Sequence, residues 1–73
     1  MSMTLEGTIE RVNLGVGAWV LKTPSQTYEL YKAPPELLKA GLAVTVTGEI
    51  RADVMTTTMV GPVLEVKGFE VSG

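Results

Sequence analysis

Ala33-Pro34-Pro35-Glu36-Leu37-Leu38-Lys39-Ala40-Gly41 decides the fold, because it is the one stretch that reads as a helix in a chain that otherwise reads as strands. Pro35 suits a first helical position, where the amide it lacks would have no partner anyway. Glu36 then sits near the positive end of the helix dipole and Lys39 near the negative end. Gly41 suits the left-handed residue that closes a helix. Barely two turns fit between these signals, and so short a helix is marginal alone. Leu37 and Leu38 therefore have to dock, and the open end of a β-barrel is the natural receptor.

On either side of this segment the pattern is that of strands. Thr4 to Val12 alternates Leu5, Gly7 and Ile9 with Glu6, Thr8 and Glu10, and then slips phase at Val12. The slip predicts a β-bulge near Glu10–Arg11. Asn13-Leu14-Gly15-Val16-Gly17 is a turn. Ala18 to Thr23 is a second strand, with Trp19 and Leu21 on one face and Val20 and Lys22 on the other. Thr23-Pro24-Ser25-Gln26 is a tight turn with Pro24 in its second position. Thr27 to Tyr31 completes a hairpin, with Tyr28 and Leu30 opposite in sense to Thr27, Glu29 and Tyr31.

After the helix, Leu42 to Asp53 alternates cleanly: Val44, Val46, Gly48, Ile50 and Ala52 point one way, and Thr45, Thr47, Glu49, Arg51 and Asp53 the other. Gly48 in mid-strand marks a bend or a close backbone approach. Val54 to Thr58 is a polar connection, and Met59 to Val71 is the last strand. Leu64 and Val66 share a face, while Phe69 and Val71 fall one step out of phase, which places a bulge at Lys67–Gly68.

Seventy-three residues, 45% of them apolar, make one ordered domain over 1–73 with a thin core. There is no cysteine and no histidine, so disulfides and the usual zinc, haem and iron–sulfur ligands are missing. No cofactor is expected. No apolar run approaches the roughly 18 residues of a membrane span, and Met1 to Glu6 does not read as a signal peptide, so the cytoplasm is the expected compartment. The net charge of −2 is a poor start for a nucleic-acid binder.

The order strand, strand, strand, short helix, strand, strand matches an all-β, five-stranded Greek-key OB-fold barrel, with the helix between strands 3 and 4. The chain resembles the small bacterial OB-fold (oligonucleotide/oligosaccharide-binding) domains of uncharacterised function. The resemblance runs from Leu5 to Val71, through Gly17-Ala18-Trp19-Val20-Leu21, Tyr28-Glu29-Leu30, Pro35-Glu36-Leu37 and Gly41-Leu42, then Val44-Thr45-Val46-Thr47-Gly48, Arg51-Ala52-Asp53 and Met59 to Val66. It implies a fold and carries over no catalytic residue.

The eight carboxylates fall nearly all on wet strand faces. Glu29 and Glu49 are placed to pair across strands with Arg51 or Lys22. Any serine or threonine nucleophile would lack a histidine base, and no Gly-x-Ser-x-Gly motif occurs. The chain thus reads as a non-catalytic binding or scaffolding module that acts through a protein partner or homo-oligomer. The alternative is single-stranded nucleic-acid or oligosaccharide binding on the face of strands 2 and 3. The candidate face comprises Val20, Lys22, Thr27, Glu29 and Tyr31, flanked by Met55. Trp19 and Tyr28 belong to the core, which leaves Tyr31 as the aromatic able to face outward.

Overall fold

Alternation of apolar and polar side chains produces five strands in the computed structural model, which describes residues 2–13, 17–54 and 61–72. They are β1 (Met3–Val12), β2 (Ala18–Lys22), β3 (Thr27–Tyr31), β4 (Ala43–Ile50) and β5 (Val63–Val71). Hydrogen bonding runs β1-β2-β3-β5-β4 and returns from β4 to β1, so the mixed sheet closes in a ring. All neighbours are antiparallel except β3 and β5, which pair parallel over Glu29↔Val63, Leu30↔Leu64 and Tyr31↔Glu65.

β1 serves two partners. Its first half pairs with β4 from Met3↔Gly48 to Thr8↔Ala43, and its second half pairs with β2 from Thr8↔Lys22 to Val12↔Ala18. Gly7 stands where the strand changes partner. A Cβ there would run into the Lys22 carbonyl oxygen and crowd the Leu21 side chain. Both registers run without a shift, so the expected bulge at Glu10–Arg11 is absent. The phase slip has another cause. Arg11 pairs with Trp19 at the end of the ring, and its guanidinium lies 5.8 Å from the indole centroid. A charged side chain is tolerated on the inward parity because the interior has ended there.

The bulge in β5 is where the second phase slip places it. Pairing with β4 runs from Val44↔Val71 to Thr47↔Gly68 and then resumes at Gly48↔Val66, leaving Lys67 as the extra residue. Gly48 lies at this shift, and a Cβ on it would meet the Glu65 carbonyl oxygen. β4 stops at Ile50 rather than Asp53, because Arg51 to Val54 forms a turn closed by the Val54 amide on the Arg51 carbonyl at 3.2 Å. β5 starts at Val63; Met59 and Val60 lie outside the described residues. The β2–β3 turn is as read: the Thr23 amide donates to the Gln26 carbonyl at 3.0 Å, and the Gln26 amide to Thr23 Oγ1 at 3.1 Å.

The helix expected over Ala33–Gly41 is reduced to a single 3-10 turn, Pro35–Leu37. Pro34 is extended (φ −69°, ψ 151°) and Leu38 has already left helical space (φ −84°, ψ 70°). Two turns would have to overcome the cost of helix nucleation. Instead Gly41, at φ 86°, turns its amide onto the Ile9 carbonyl at 2.7 Å, which ties the segment to β1. Docking survives the loss of the helix, but one leucine does it. Leu37 is fully buried among Ile9, Leu21, Tyr28, Val44, Val46, Leu64 and Val66, whereas Leu38 is half-buried outside that cluster. Trp19, Leu30 and Phe69 pack around its margin.

Candidate functional site: the outer face of the ring

Strand alternation sends Val20, Lys22, Thr27, Glu29 and Tyr31 to the outside of the ring, and registry sets them side by side. Val20 lies opposite Glu29, Lys22 opposite Thr27, and Tyr31 beside Glu65 of β5. These five are therefore brought together; Met55 lies outside the described residues. Their accessibility differs from expectation. Val20 is 1% exposed, so it offers a partner no contact surface. Glu29 and Val63, in line with it across β3 and β5, are buried as well. Alternation reports which way a side chain points, not whether that face is covered. Val20 does point away from the interior cluster, into a second, smaller buried strip on the outer side. Lys22 remains exposed, and Thr27 and Tyr31 are half-buried.

The charges on this face are engaged with one another. Lys22 Nζ lies 3.8 Å from Glu10 Oε2, both well exposed. Lys32 sits in the left-handed region (φ 55°) and carries its ammonium 5.5 Å from the Tyr31 ring centroid. Arg51 donates through Nε (3.0 Å) and Nη2 (2.9 Å) to the two oxygens of Asp53, and through Nη1 (2.6 Å) to Glu65 Oε1. Lys67 Nζ is 3.6 Å from the same Glu65 oxygen. Arg51 thus bonds Asp53 and Glu65, not Glu49, which lies two residues before it. The reason is local: Asp53 lies two residues on in the same turn, and Glu65 faces Glu49 in register, so two carboxylates compete for one guanidinium.

The Arg51–Glu65 pair is what the sequence reading missed. Its signal was a lone charge inside the apolar run Val63-Leu64-Glu65-Val66, which a strand buried on both faces has to neutralise. Glu65 is 8% exposed. The Arg51 hydrogen bond, helped by the charges of Lys67, Arg51 and Lys32, holds its carboxyl below the usual glutamate range against the opposing effect of burial. The same guanidinium lowers Asp53, and the two carboxylates raise Arg51. A carboxylate held ionised in this way is a poor proton acceptor near neutral pH.

The pairing has a pH signature. Both carboxylates have folded-state pKa values below their unfolded ones. Their contribution is complete above the ordinary carboxylate range and is lost as pH falls through the folded values. Stability measured by urea denaturation is expected to decline on acidification below about pH 4.3, the ordinary glutamate value, and Glu65→Gln is expected to flatten that decline. An unchanged acid limb in the variant would show that Glu65 is not a principal contributor.

A shallow open depression of about 490 Å³ lies on the outer surface where β1 bends, lined by Glu6, Thr8, Lys22, Pro24 and Ser72 among others. It brings one cation and one carboxylate together without a converging set of donors. Among the described residues no group of three or more acidic side chains could hold a metal ion, and no helix is long and apolar enough to cross a membrane. No protein-family model, curated protein or solved structure matches the chain.

Proposed function

We propose that this chain is a non-catalytic OB-type binding module that works through protein contact rather than through nucleic acid or sugar. The OB reading is supported by the ring order β1-β2-β3-β5-β4, by the parallel β3–β5 pairing and by the segment between β3 and β4 that buries Leu37. One observation carries the protein-contact reading: apolar surface is left open at the strand ends and not on the face of β2 and β3. Val71 is 55% exposed and Ile50 40%, while Val20 is buried. On the β2–β3 face, the Lys22 ammonium already stands beside a carboxylate and the Tyr31 ring beneath a lysine. A single-strand platform needs accessible aromatic rings and a surplus of free positive charge.

The test is a pair of amide-shift titrations. Adding a short oligothymidylate or maltohexaose at low salt is expected to leave the amides of Lys22, Thr27 and Tyr31 unmoved, whereas raising the concentration of the protein itself is expected to shift amides of β4 and β5. Shifts at those three residues that grow with oligonucleotide and shrink with salt would overturn the proposal.

A further inference from the structure

Past Val66, β5 is paired with β4 on one side only and leaves its other edge without a partner strand. β3 pairs with β5 only through Glu65, where the parallel ladder ends on the Val66 amide, and among the described residues no strand pairs with the far side of Lys67–Val71. Hydrogen-bond direction can be followed along this segment. The Ser72 amide donates to the Ala43 carbonyl at 2.9 Å, so Ser72 faces β4. By alternation Glu70 faces β4 too, and Phe69 and Val71 turn their N–H and C=O groups outward. This is also the most exposed part of the strand: Lys67, Glu70 and Val71 are open, and Gly68 and Phe69 are half-buried.

Gly68 has no internal reason to be glycine. Its φ lies outside the left-handed region, and among the described residues a Cβ on it would meet nothing within 4 Å. That distinguishes it from Gly7 and Gly48, where a Cβ strikes a carbonyl oxygen, and from Gly41, which has positive φ. A position left clear within one chain suits the close approach of another.

We infer that this edge pairs with the same edge of a second copy, antiparallel and centred on Phe69. The charge pattern selects the occupant. The bulge leaves Lys67 on the outer face, 3.6 Å from Glu65, and Glu70 shares that face because Phe69 turns inward. Lys67-Gly68-Phe69-Glu70, reversed against itself about Phe69, then sets Glu70 over Gly68 of the second copy and next to its Lys67. Opposite charges then meet twice about the two-fold axis. The neighbouring register, centred on Glu70, would set two carboxylates face to face, which is destabilising. In the favoured register Phe69 exchanges both backbone bonds with its counterpart. Lys67 and the bulge guard the edge on their own side, as charges and bulges commonly do, but Phe69 to Val71 lie beyond them. So short a pairing buries little surface and belongs with weak, transient contacts. The inference rests on the protein-contact reading and gives it a site and a partner.

Sedimentation velocity at high protein concentration tests it with Lys67→Glu, Glu70→Lys and Gly68→Val. Wild type is expected to be in monomer–dimer exchange. At a concentration where half of it is paired, each variant is expected to sediment as a monomer while keeping the wild-type circular dichroism spectrum. An equimolar mixture of Lys67→Glu and Glu70→Lys chains is expected to pair again, since opposite charges then meet at both ends. Variants that associate as wild type does would overturn the edge while leaving protein contact standing. Wild type monomeric up to millimolar concentration would overturn the edge outright. The oligothymidylate titration judges the functional reading separately.

Discussion

Leu37→Ala is expected to destabilise the domain by about 2–5 kcal/mol, the cost of emptying a fully buried leucine site. Leu37 is the one side chain of the β3–β4 connection that is wholly inside, and it touches a cluster drawn from all five strands. The turn that carries it offers little compensation. It is three residues long, has no side-chain cap, and begins at Pro35 directly after Pro34, two prolines that restrict how far the backbone can settle into a cavity. A domain of this size holds roughly 4–11 kcal/mol in all. The substitution therefore removes a large share of the total, and thermal or urea unfolding will register it. Leu38→Ala is the control: its side chain lies outside the interior cluster, and a loss below about 1 kcal/mol is expected, as for a partly exposed site. Equal losses at the two positions would show that the pair docks together, against the packing described here.

Gly7→Ala and Gly48→Ala are also expected to be damaging, through overpacking instead of a cavity. In each, the added Cβ meets the main-chain oxygen of a neighbouring strand: Lys22 for Gly7 and Glu65 for Gly48. A backbone atom cannot swing aside as a side-chain tip can, so the strand pair has to separate. A loss of about 1–3 kcal/mol or more is expected for each. Gly7 lies where β1 passes from β4 to β2, and Gly48 lies at the register shift between β4 and β5. Both sites are corners where a flat sheet has to curve. Gly68→Ala provides the contrast. With open space around its Cβ and no positive φ, it is expected to be neutral, or more stable by about 0.4–1 kcal/mol through a less flexible unfolded chain. Urea denaturation of the three variants should separate Gly68 from the other two. A tolerated Gly7→Ala would mean that β1 and β2 do not approach as closely as the ring requires.

Much of this architecture was legible because it follows from period-two patterning. The inward set Leu5, Ile9, Leu21, Val44, Val46, Leu64 and Val66, and the bulge at Lys67, could be read from where alternation holds and where it slips. The same reading failed at Arg11, since a phase slip looks alike whether a residue is inserted or the interior has ended. The Ala33–Gly41 helix failed because capping signals describe what a segment would prefer in isolation, while a bond from Gly41 to Ile9 is a tertiary fact. On the candidate face, alternation correctly turned Val20, Glu29 and Tyr31 outward but could not tell that Val20 and Glu29 are covered. The choice of Glu65 by Arg51 depended on the register of β4 against β5, which sits on the bulge itself.

The most direct test is the closure between β3 and β5, the one parallel pairing and the one that turns a bent sheet into a ring. In solution, a NOESY spectrum of the wild-type chain should show backbone contacts between Leu30 and Leu64 together with the β1–β2 and β1–β4 contacts. The Glu29 amide, which donates to the Pro62 carbonyl at 2.8 Å, should be protected from hydrogen exchange. Contacts along β1, β2 and β4 without any between Leu30 and Leu64, and a freely exchanging Glu29 amide, would mean an open sheet. In that case Leu37 has no closed interior to fill, and the outer face described here does not exist.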